Sequence, residues 1–338
     1  MQISTSAFFS GLAAMCGATF AQTLPAADFY RTKPQIIIAY PSDEFLPRLL
    51  ARHLPKHLPG SPNAIVQYIP AAGGLVLANQ TYTTAPKNGT FLALIRGSTL
   101  QLGSNGDPAA NFEGQRFAWI GNMTKEYDTC VVAEPAPIKS LNDIYEQELI
   151  FGASAAGSPS LTFPLVYNAI LGTKFKVIRG YDRIGDRVLA MERGELMGGC
   201  GFYTNNLMSA LREPFSKGKI KVLFQAGIGT DSRFPEAPNI LDQAKSEADR
   251  QALQYMFATL ELGRPFASAP ETPPDRVALL RQAFDATMKD REFLEEANKM
   301  QVAMNTSTGD ETAEAVERLY KAPKSVVDRV NAIVQQNK

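Results

Sequence analysis

Short apolar segments alternate with helical segments and glycine-rich turns over much of this 338-residue chain. Segments rich in β-branched and aromatic residues predict strands, and a helical pattern or a turn follows most of them. The predicted strands cover residues 35–39, 64–69, 91–95, 129–133, 149–151, 174–178 and 220–225. This order predicts an α/β protein whose sheets are mostly parallel and flanked by helices. Because one hydrophobic core rarely serves so long a chain, two lobes are expected.

The charge of the chain is balanced. Its 34 basic and 34 acidic residues give a formal net charge of zero, and no basic stripe is present. Nucleic acids and acidic membrane surfaces attract proteins through clustered positive charge, so both are poor candidate partners.

The N-terminus has the composition of an export signal. Residues 7–20 are small and apolar, and cleavage is expected after Ala21 or, less well supported, after Ala27. No Lys or Arg precedes Arg31, so the usual positive start of a signal peptide is missing. The alternative is a disordered or helical tail. We predict export to the periplasm, with 1–21 as the signal peptide.

Cysteine and histidine usage predicts neither a metal site nor a cofactor. After signal removal Cys130 and Cys200 remain; two buried free thiols are favoured over a disulfide, which an oxidising compartment would permit. His53 and His57 have the i, i+4 spacing of ligands on one helix face, but Pro55 lies between them. They are predicted to be surface histidines near a helix end.

The segment 151–160 places small residues at a predicted strand-to-helix turn. A helix N-terminus presents unpaired N–H donors and favours an anion. Lys, Arg and His are absent from this turn, which suits holding a small acidic group. Similar loops follow other predicted strands, at 40–43, 71–74, 97–99, 179–181 and 199–202. Since ligands of open parallel sheets bind beyond the carboxyl ends of the strands, these loops predict a cleft for a small ligand.

A serine hydrolase using Ser154 is the alternative from another functional class. Residues 152–154 begin like a nucleophile elbow, but that motif needs a glycine where Ala156 stands. Both histidines precede Ser154, whereas in that fold the histidine follows the nucleophile. A catalytic site is therefore not predicted.

The chain resembles a known family, the solute-binding subunits of tripartite tricarboxylate transporters, also called Bug-type periplasmic receptors. The resemblance covers nearly everything after Thr32. It is carried by Leu-Leu-Ala-Arg-His-Leu at 49–54, Pro-Gly-Ser-Pro at 59–62, Ile-Pro-Ala-Ala-Gly-Gly at 69–74, Ala-Pro-Lys-Asn-Gly-Thr at 85–90, Trp-Ile-Gly at 119–121, Gly-Glu at 194–195, Gly-Arg-Pro at 263–265, Pro-Asp-Arg at 274–276 and Met-Lys-Asp-Arg-Glu-Phe at 288–293. Their order and spacing together are specific.

The resemblance implies a two-lobed periplasmic-binding-protein fold, a Venus flytrap. A small organic solute bearing a carboxylate would bind between the lobes and pass to membrane subunits of a tripartite transporter. A monomer without enzymatic activity is expected; a receptor feeding a sensor kinase is the second alternative. The implied ligand-binding residues are Tyr40, Ser42, Asp43, Ala72, Gly73, Gly97, Ser98, Thr99, Ser154, Ala155, Ala156, Gly157, Ser158, Gly180, Tyr181, Gly201 and Phe202.

The expected lobes are discontinuous. Residues 29–126 and 234–338 would form lobe 1 and residues 127–233 lobe 2, with the helical tail packed on lobe 1. The first loop, at 40–43, departs from the family because it has a proline and no glycine. Within it Asp43 could bind the ligand or cap the next helix. Arg179 is expected at the surface rather than on a carboxylate, and Tyr181 at the cleft wall or in a lobe core.

Overall fold

A computed structural model of the chain describes residues 24–32, 34–41, 45–134, 136–138, 140–154, 158–209 and 211–335. The predicted signal peptide 1–21 lies outside the described residues. So do five of the predicted ligand-binding residues, which are Ser42, Asp43, Ala155, Ala156 and Gly157. Ala27, the second expected cleavage point, lies inside the first helix.

The described strands form two separate sheets. They are Ile36–Tyr40 (β1), Ala64–Tyr68 (β2), Phe91–Leu94 (β3), Ala118–Asn122 (β4), Asp128–Ala133 (β5), Leu149–Ala153 (β6), Phe175–Arg179 (β7), Gly198–Tyr203 (β8), Ile220–Ala226 (β9), Pro265–Ser268 (β10) and Ser307–Thr308 (β11).

Helices flank both sheets. The described α-helices are Ala26–Arg31 (α1), Phe45–His53 (α2), Leu75–Thr83 (α3), Gly97–Ser104 (α4), Asp143–Glu146 (α5), Pro159–Leu171 (α6), Ile184–Glu192 (α7), Thr204–Ser209 (α8), Arg212–Ser216 (α9), Glu247–Glu261 (α10), Pro274–Thr287 (α11), Arg291–Lys299 (α12), Gly309–Tyr320 (α13) and Lys324–Gln335 (α14).

The first sheet has the strand order β11-β4-β10-β3-β1-β2. Strand β1 pairs in parallel with β2 and β3, whereas β10 runs antiparallel to β3 and β4, and β11 antiparallel to β4. The second sheet has the order β7-β6-β8-β5-β9, and β5 runs antiparallel to both β8 and β9. The α/β class is confirmed, but the expectation of mostly parallel sheets is wrong: both sheets are mixed. The antiparallel strands β4, β5, β9 and β10 flank the places where the chain passes from one sheet to the other.

Cys130 and Cys200 form a disulfide, so the prediction of free thiols is wrong. Cys130 lies on β5 and Cys200 on β8, and the antiparallel pairing of these strands brings the two Cα atoms within 4.0 Å. Both cysteines are fully buried. The strand pairing that places them side by side links residues 70 apart in sequence, which pattern reading does not reveal.

The sheets draw on different parts of the chain. Strands β1 to β4, β10 and β11 build the first sheet, and β5 to β9 build the second. Segment 124–127, between β4 and β5, is bonded to segment 303–305: the Lys125 N–H donates to the Asn305 carbonyl at 2.8 Å. The exact lobe boundaries given above stay a prediction.

The C-terminal helices α11 to α14 do not all pack beside the same sheet. Helices α11 and α13 pack on β4, and α12 packs on α2, all beside the first sheet. Helix α14 instead packs on α10 and on α6, which contacts strands of the second sheet. Helix α14 thus contacts both parts of the chain, since α10 packs on α4, and its buried Val326 and Val330 belong to a core cluster shared with the second sheet. The expectation that the tail packs on the first lobe stays a prediction.

Candidate functional site

The loops after β1, β2 and β3 meet at one edge of the first sheet, because parallel strands end on the same side. We call residues 40–41, 71–74 and 97–99 the first jaw. The Thr99 hydroxyl donates to the Gly73 carbonyl at 3.2 Å. A side chain at Gly74 would place its Cβ 3.0 Å from Thr99 Oγ1 and 3.3 Å from Pro41, so only glycine fits this contact at φ +103°. The first jaw is therefore one compact surface.

The second jaw comprises residues 154, 158, 180–181 and 201–202, at the corresponding edge of the second sheet. Its centre is Ser160, the second residue of α6, which the sequence analysis did not single out. The Ser160 hydroxyl accepts the Ser154 N–H at 3.1 Å and lies 3.1 Å from the hydroxyls of Ser154 and Ser158. Gly201 lies against the Ser160 backbone: a Cβ there would be 2.5 Å from Ser160 N. A single hydroxyl thus joins the turn after β6 to the start of α6.

The described ligand-binding candidates differ in exposure. Ala72, Gly73, Ser98 and Gly180 are exposed, while Ser154, Ser158, Tyr181 and Gly201 are intermediate. The side chains of Tyr40 and Phe202 are buried in the cores of their respective layers. Tyr40 accepts a hydrogen bond from Arg48 at 3.2 Å. These two residues can therefore serve a ligand through their backbone rather than their rings. Tyr181 packs against the core beside the second sheet.

Several backbone N–H groups of the jaws are already bonded. They are Gly97 N–H to Leu262 O (3.1 Å), Ser154 N–H to Ser160 Oγ (3.1 Å), Tyr181 N–H to Ala153 O (3.1 Å) and Gly201 N–H to Asp128 Oδ2 (3.3 Å). The first turn of α4 supplies further N–H donors, since these have no partner within their own helix. In α6, by contrast, Pro159 has no N–H, and the N–H groups of Leu161 and Thr162 donate to the Ser158 carbonyl at 3.1 and 2.9 Å. Helix α4 begins in the first jaw and α6 beside the second, so each jaw offers a helix N-terminus to an anion.

Two buried charged residues lie beneath the second jaw, and sequence reasoning missed both. Asp128 is fully buried, and burial raises the pKa of its carboxyl group to about 8. Arg187 of α7 is 5% exposed; it donates to the Cys200 carbonyl at 2.7 Å, and its guanidinium carbon lies 4.1 Å from the centre of the Phe202 ring. Burial lowers the pKa of Arg187 to about 10. A charged residue opening the buried strand 128–133 was the available signal for Asp128.

Several charged residues act on Tyr203, the last residue of β8. Burial raises the pKa of the Tyr203 hydroxyl, and the charges of Asp128 and Glu126 raise it further. Arg264 and Arg96 lower it; Arg96 directly precedes α4 of the first jaw. Arg96, just after β3, is therefore near enough to act on the Tyr203 hydroxyl at the end of β8.

The two histidines lie in another part of the molecule, between α2 and α12. His53 is only 2% exposed, and its Nε2 lies 3.0 Å from Glu296 Oε1, so the prediction of a surface histidine is wrong for this residue. His57 Nε2 lies 3.0 Å from Asp290 Oδ2. The two helices pack through these polar pairs, which is why an apparently polar position is buried. Ser154 bonds to Ser160, and its described contacts include no histidine.

One group of side chains in the described ranges has metal-ligand geometry. Ligand atoms of His53, Asp290 and Glu292 lie within 4.8 Å of one another. However, the Lys56 ammonium lies 2.7 Å from Glu292 Oε2 and 3.3 Å from His53 Nδ1. A cation of the protein itself thus neutralises this cluster.

Three cavities among the described residues lie away from the jaws. A cavity of about 760 Å³ lies among α10, α13 and α14, and one of about 750 Å³ lies beside α2. A third, of about 430 Å³, lies where segments 125–127, 230–233 and 303–305 meet. Over the part of the chain described, no helix combines the length and apolarity needed to cross a membrane.

Comparison with known structures identifies proteins of similar fold. A TctC solute-binding protein from Polaromonas, without ligand, superposes with a TM-score of 0.69 at 17% identity, covering 87% of this chain and 98% of the other. MatC from Rhodopseudomonas palustris, with bound malate, superposes with a TM-score of 0.55 at 16% identity, covering 89% of this chain and 99% of MatC. Rpa4515 from R. palustris, with adipate, superposes with a TM-score of 0.56 at 12% identity, covering 89% of this chain and 97% of Rpa4515. The chain therefore has the two-lobed fold of periplasmic solute-binding proteins, which confirms the predicted fold. Neither a protein-family model nor a curated protein matches the sequence.

Proposed function

We propose that this chain is an exported solute receptor that holds a small carboxylate-bearing solute between the first and second jaws. The observation that carries this is the pair of helix N-termini, of α4 and α6, at the two jaws of a binding-protein fold. Such ends favour an anion without any basic side chain in the loops. MatC and Rpa4515 share the fold and hold malate and adipate, both dicarboxylates, which supports the same ligand class here.

Binding acts by shifting a population between open and closed forms. A ligand that contacts both jaws at once stabilises the closed form by its extra contacts there. Membrane subunits of a tripartite transporter would then recognise the closed form and receive the solute. The receptor performs no catalysis in this scheme, and it acts as a periplasmic monomer after removal of 1–21.

The direct test is calorimetric titration and thermal shift of the mature chain with malate, adipate and other small carboxylates. A ligand that binds only the folded state at 100 times its Kd should stabilise it by about 2.7 kcal/mol, which appears as a raised Tm. If no small carboxylate raises the Tm or gives binding heat, the proposal is wrong.

Ser160→Ala tests the second jaw itself. Loss of the central hydroxyl leaves the Ser154 N–H without its acceptor, and the turn loses its fixed geometry. We expect roughly a tenfold weaker affinity, the effect of one hydrogen bond of about 1.4 kcal/mol. The matched control is Ser216→Ala, whose hydroxyl bonds to Glu213 O away from the jaws, and its affinity should equal that of the wild type. Equal affinities for both variants would remove the second jaw from the site.

Ser154→Ala tests the absence of catalysis. A hydrolase would lose turnover of small esters and amides in this variant, whereas the receptor should show the same background rate as the wild type and at most an altered Kd. N-terminal sequencing of the exported protein tests cleavage at Ala21, and light scattering of the purified chain tests the monomer.

A further inference from the structure

The second jaw has a buried source of positive charge, although residues 154–160 include no Lys, Arg or His. The source is Arg187, which contacts the second jaw through a neighbouring residue. Its Nη1 donates to the carbonyl of Cys200, which directly precedes Gly201. The guanidinium also lies over the ring of Phe202. Arg187 Nε is buried and has no hydrogen-bond partner among the described residues. A charge so poorly solvated acts strongly on its surroundings, because little water screens it.

Asp128 is the carboxyl group that can cancel this charge. Its Oδ2 accepts the Gly201 N–H at 3.3 Å, so Asp128 and Arg187 hold the same short segment of β8 from two sides. Its Oδ1 is buried and, within the described residues, has no partner. A buried carboxylate with so few hydrogen bonds is costly, whereas a neutral carboxyl group is not.

We propose that Asp128 is a positioning residue whose proton controls anion affinity: protonated, it leaves the Arg187 charge beneath Gly201 available to a bound carboxylate, and ionised, it cancels that charge. This inference rests on the proposed function, because it concerns the affinity of the same site for its solute.

The titration behaviour of the surrounding groups supports this. Burial raises the pKa of Asp128 to about 8 and lowers that of Arg187 to about 10, so near pH 7 Asp128 is neutral and Arg187 charged. The other titratable groups facing Asp128 are Tyr167 of α6 and Tyr203 of β8. Burial raises the pKa of both hydroxyls, so they stay neutral throughout. Further out, Glu126, Arg96 and Arg264 act on Tyr203. Of Asp128, Tyr167 and Tyr203, therefore, Asp128 is the group that changes charge near pH 8.

The test is the Kd for malate and for adipate at pH 6, 7, 8 and 9, measured by calorimetry. Both probes are fully ionised over most of this range, since carboxylic acids titrate well below pH 7. The wild-type Kd should rise by up to about tenfold between pH 7 and pH 9, the limit for one linked proton. Asp128→Asn should bind like the wild type at pH 6 and 7 and keep that Kd at pH 9. Asp242→Asn, an exposed control, should follow the wild type.

Arg187 variants separate charge from packing. Arg187→Lys keeps the charge, so its Kd should keep the pH dependence. Arg187→Met should bind the dicarboxylates roughly tenfold more weakly at pH 7, and its Kd should not change with pH. They also decide the matter should Asp128→Asn not fold. A wild-type Kd that stays flat to pH 9, or a rise that persists in Asp128→Asn, overturns the inference while leaving the proposed function intact. If neither dicarboxylate binds the wild type at any pH, the proposed function for these ligands falls, and this inference with it.

Discussion

Gly201 is the residue at which β8 and the start of α6 touch. Its backbone adopts φ +77°, and a Cβ would lie 2.5 Å from Ser160 N. Gly201→Ala therefore combines an unfavourable backbone conformation with a collision against backbone atoms. Gly172, which ends α6, has nearly the same φ, +80°, with nothing within 4 Å of a Cβ. It is the matched control for conformation without collision.

We expect Gly172→Ala to lower the free energy of unfolding by about 1 kcal/mol, the usual cost of the left-handed region. Gly201→Ala should cost at least twice as much and should also weaken ligand binding. Urea unfolding of both variants measures the difference. Equal costs would mean that the contact between β8 and α6 relaxes freely.

Asp128 should make stability depend on pH even without ligand. Because burial raises its folded pKa to about 8, the folded state keeps a proton that the unfolded chain releases near pH 4. Its contribution to stability is therefore complete below pH 4 and is lost progressively as the pH rises to about 8.

Asp128→Asn removes this dependence. The free energy of unfolding of this variant should increase relative to that of the wild type by up to about 1.4 kcal/mol per pH unit between pH 5 and pH 8. Above pH 8 the difference should stay constant. Urea unfolding of both proteins from pH 5 to pH 9 gives the difference curve. A difference that is constant with pH would show that Asp128 is ionised throughout.

Residue types predicted which loops follow the strands, because small and hydroxyl residues after apolar strands are visible in sequence. That these loops bind a ligand stays a prediction. Ser160, Asp128 and Arg187 were not predicted as site residues. Their importance comes from contacts between positions far apart in the chain, such as Asp128 with Gly201. Each looks ordinary alone: a serine after a helix start, an acid before a strand, and an arginine in an amphipathic helix.

At the scale of elements, the seven predicted strands match β1, β2, β3, β5, β6, β7 and β9 within two residues. Other elements were not predicted, among them α4, β4, β10 and α10. Helix α4 starts with Gly97-Ser98-Thr99, residues of weak helix propensity that read as a loop, and it is held by packing on α10. Strand β4 includes Gly121, whose missing side chain makes room for the Phe284 ring of α11. The antiparallel pairings of β4, β5, β9 and β10 depend on the chain changing sheets, which local patterns do not encode.

The disulfide between β5 and β8 should contribute substantially to stability. Closing a loop of about 70 residues in the unfolded chain corresponds to about 4 kcal/mol in the chain-entropy description. Cys130→Ala with Cys200→Ala should lower the free energy of unfolding by an amount of that order. Reductant should destabilise the wild type and leave the double variant unchanged. A reductant-insensitive wild type with two titratable thiols after unfolding would show that the bond does not form.

At the scale of the whole molecule, Arg233 holds the segment that returns from the second sheet. Its guanidinium binds Asp231 at 2.5 Å, Thr204 Oγ1 at 2.8 Å and Asn205 Oδ1 at 2.9 Å, so the segment after β9 is fixed to α8. Asp231 is 7% exposed; burial alone would raise the pKa of its carboxyl group, but the bonds from Arg233 hold it below its usual value.

Arg233→Met should therefore cost about 3 kcal/mol, because it leaves a mostly buried carboxylate without its cation. The control is Arg291→Met, whose 90%-exposed side chain pairs with Glu295 on the surface of α12 and should cost no more than about 0.5 kcal/mol. Urea unfolding compares them. If both variants lower the free energy of unfolding by similarly small amounts, water takes the place of the Arg233 guanidinium as the partner of Asp231.

The two-lobed architecture followed from chain length and from the alternating pattern, and the similar structures confirm it. Packing of α14 on α6 could not be predicted, because an amphipathic helix indicates that it covers a core without indicating which one. Val326 and Val330 suit either sheet equally well by composition.

The pairing of Asp128 with Ala226 in adjacent strands sets an order for folding. All strands of the second sheet lie between these two residues, so that sheet can form as soon as residue 226 has emerged from the ribosome or the export channel. The first sheet has to wait for β10 and β11, which follow much later in the chain. The sheet that begins first is thus completed last, and a chain interrupted near residue 264 would carry all strands of the second sheet, still without the packing of α14 on α6, beside an incomplete first sheet.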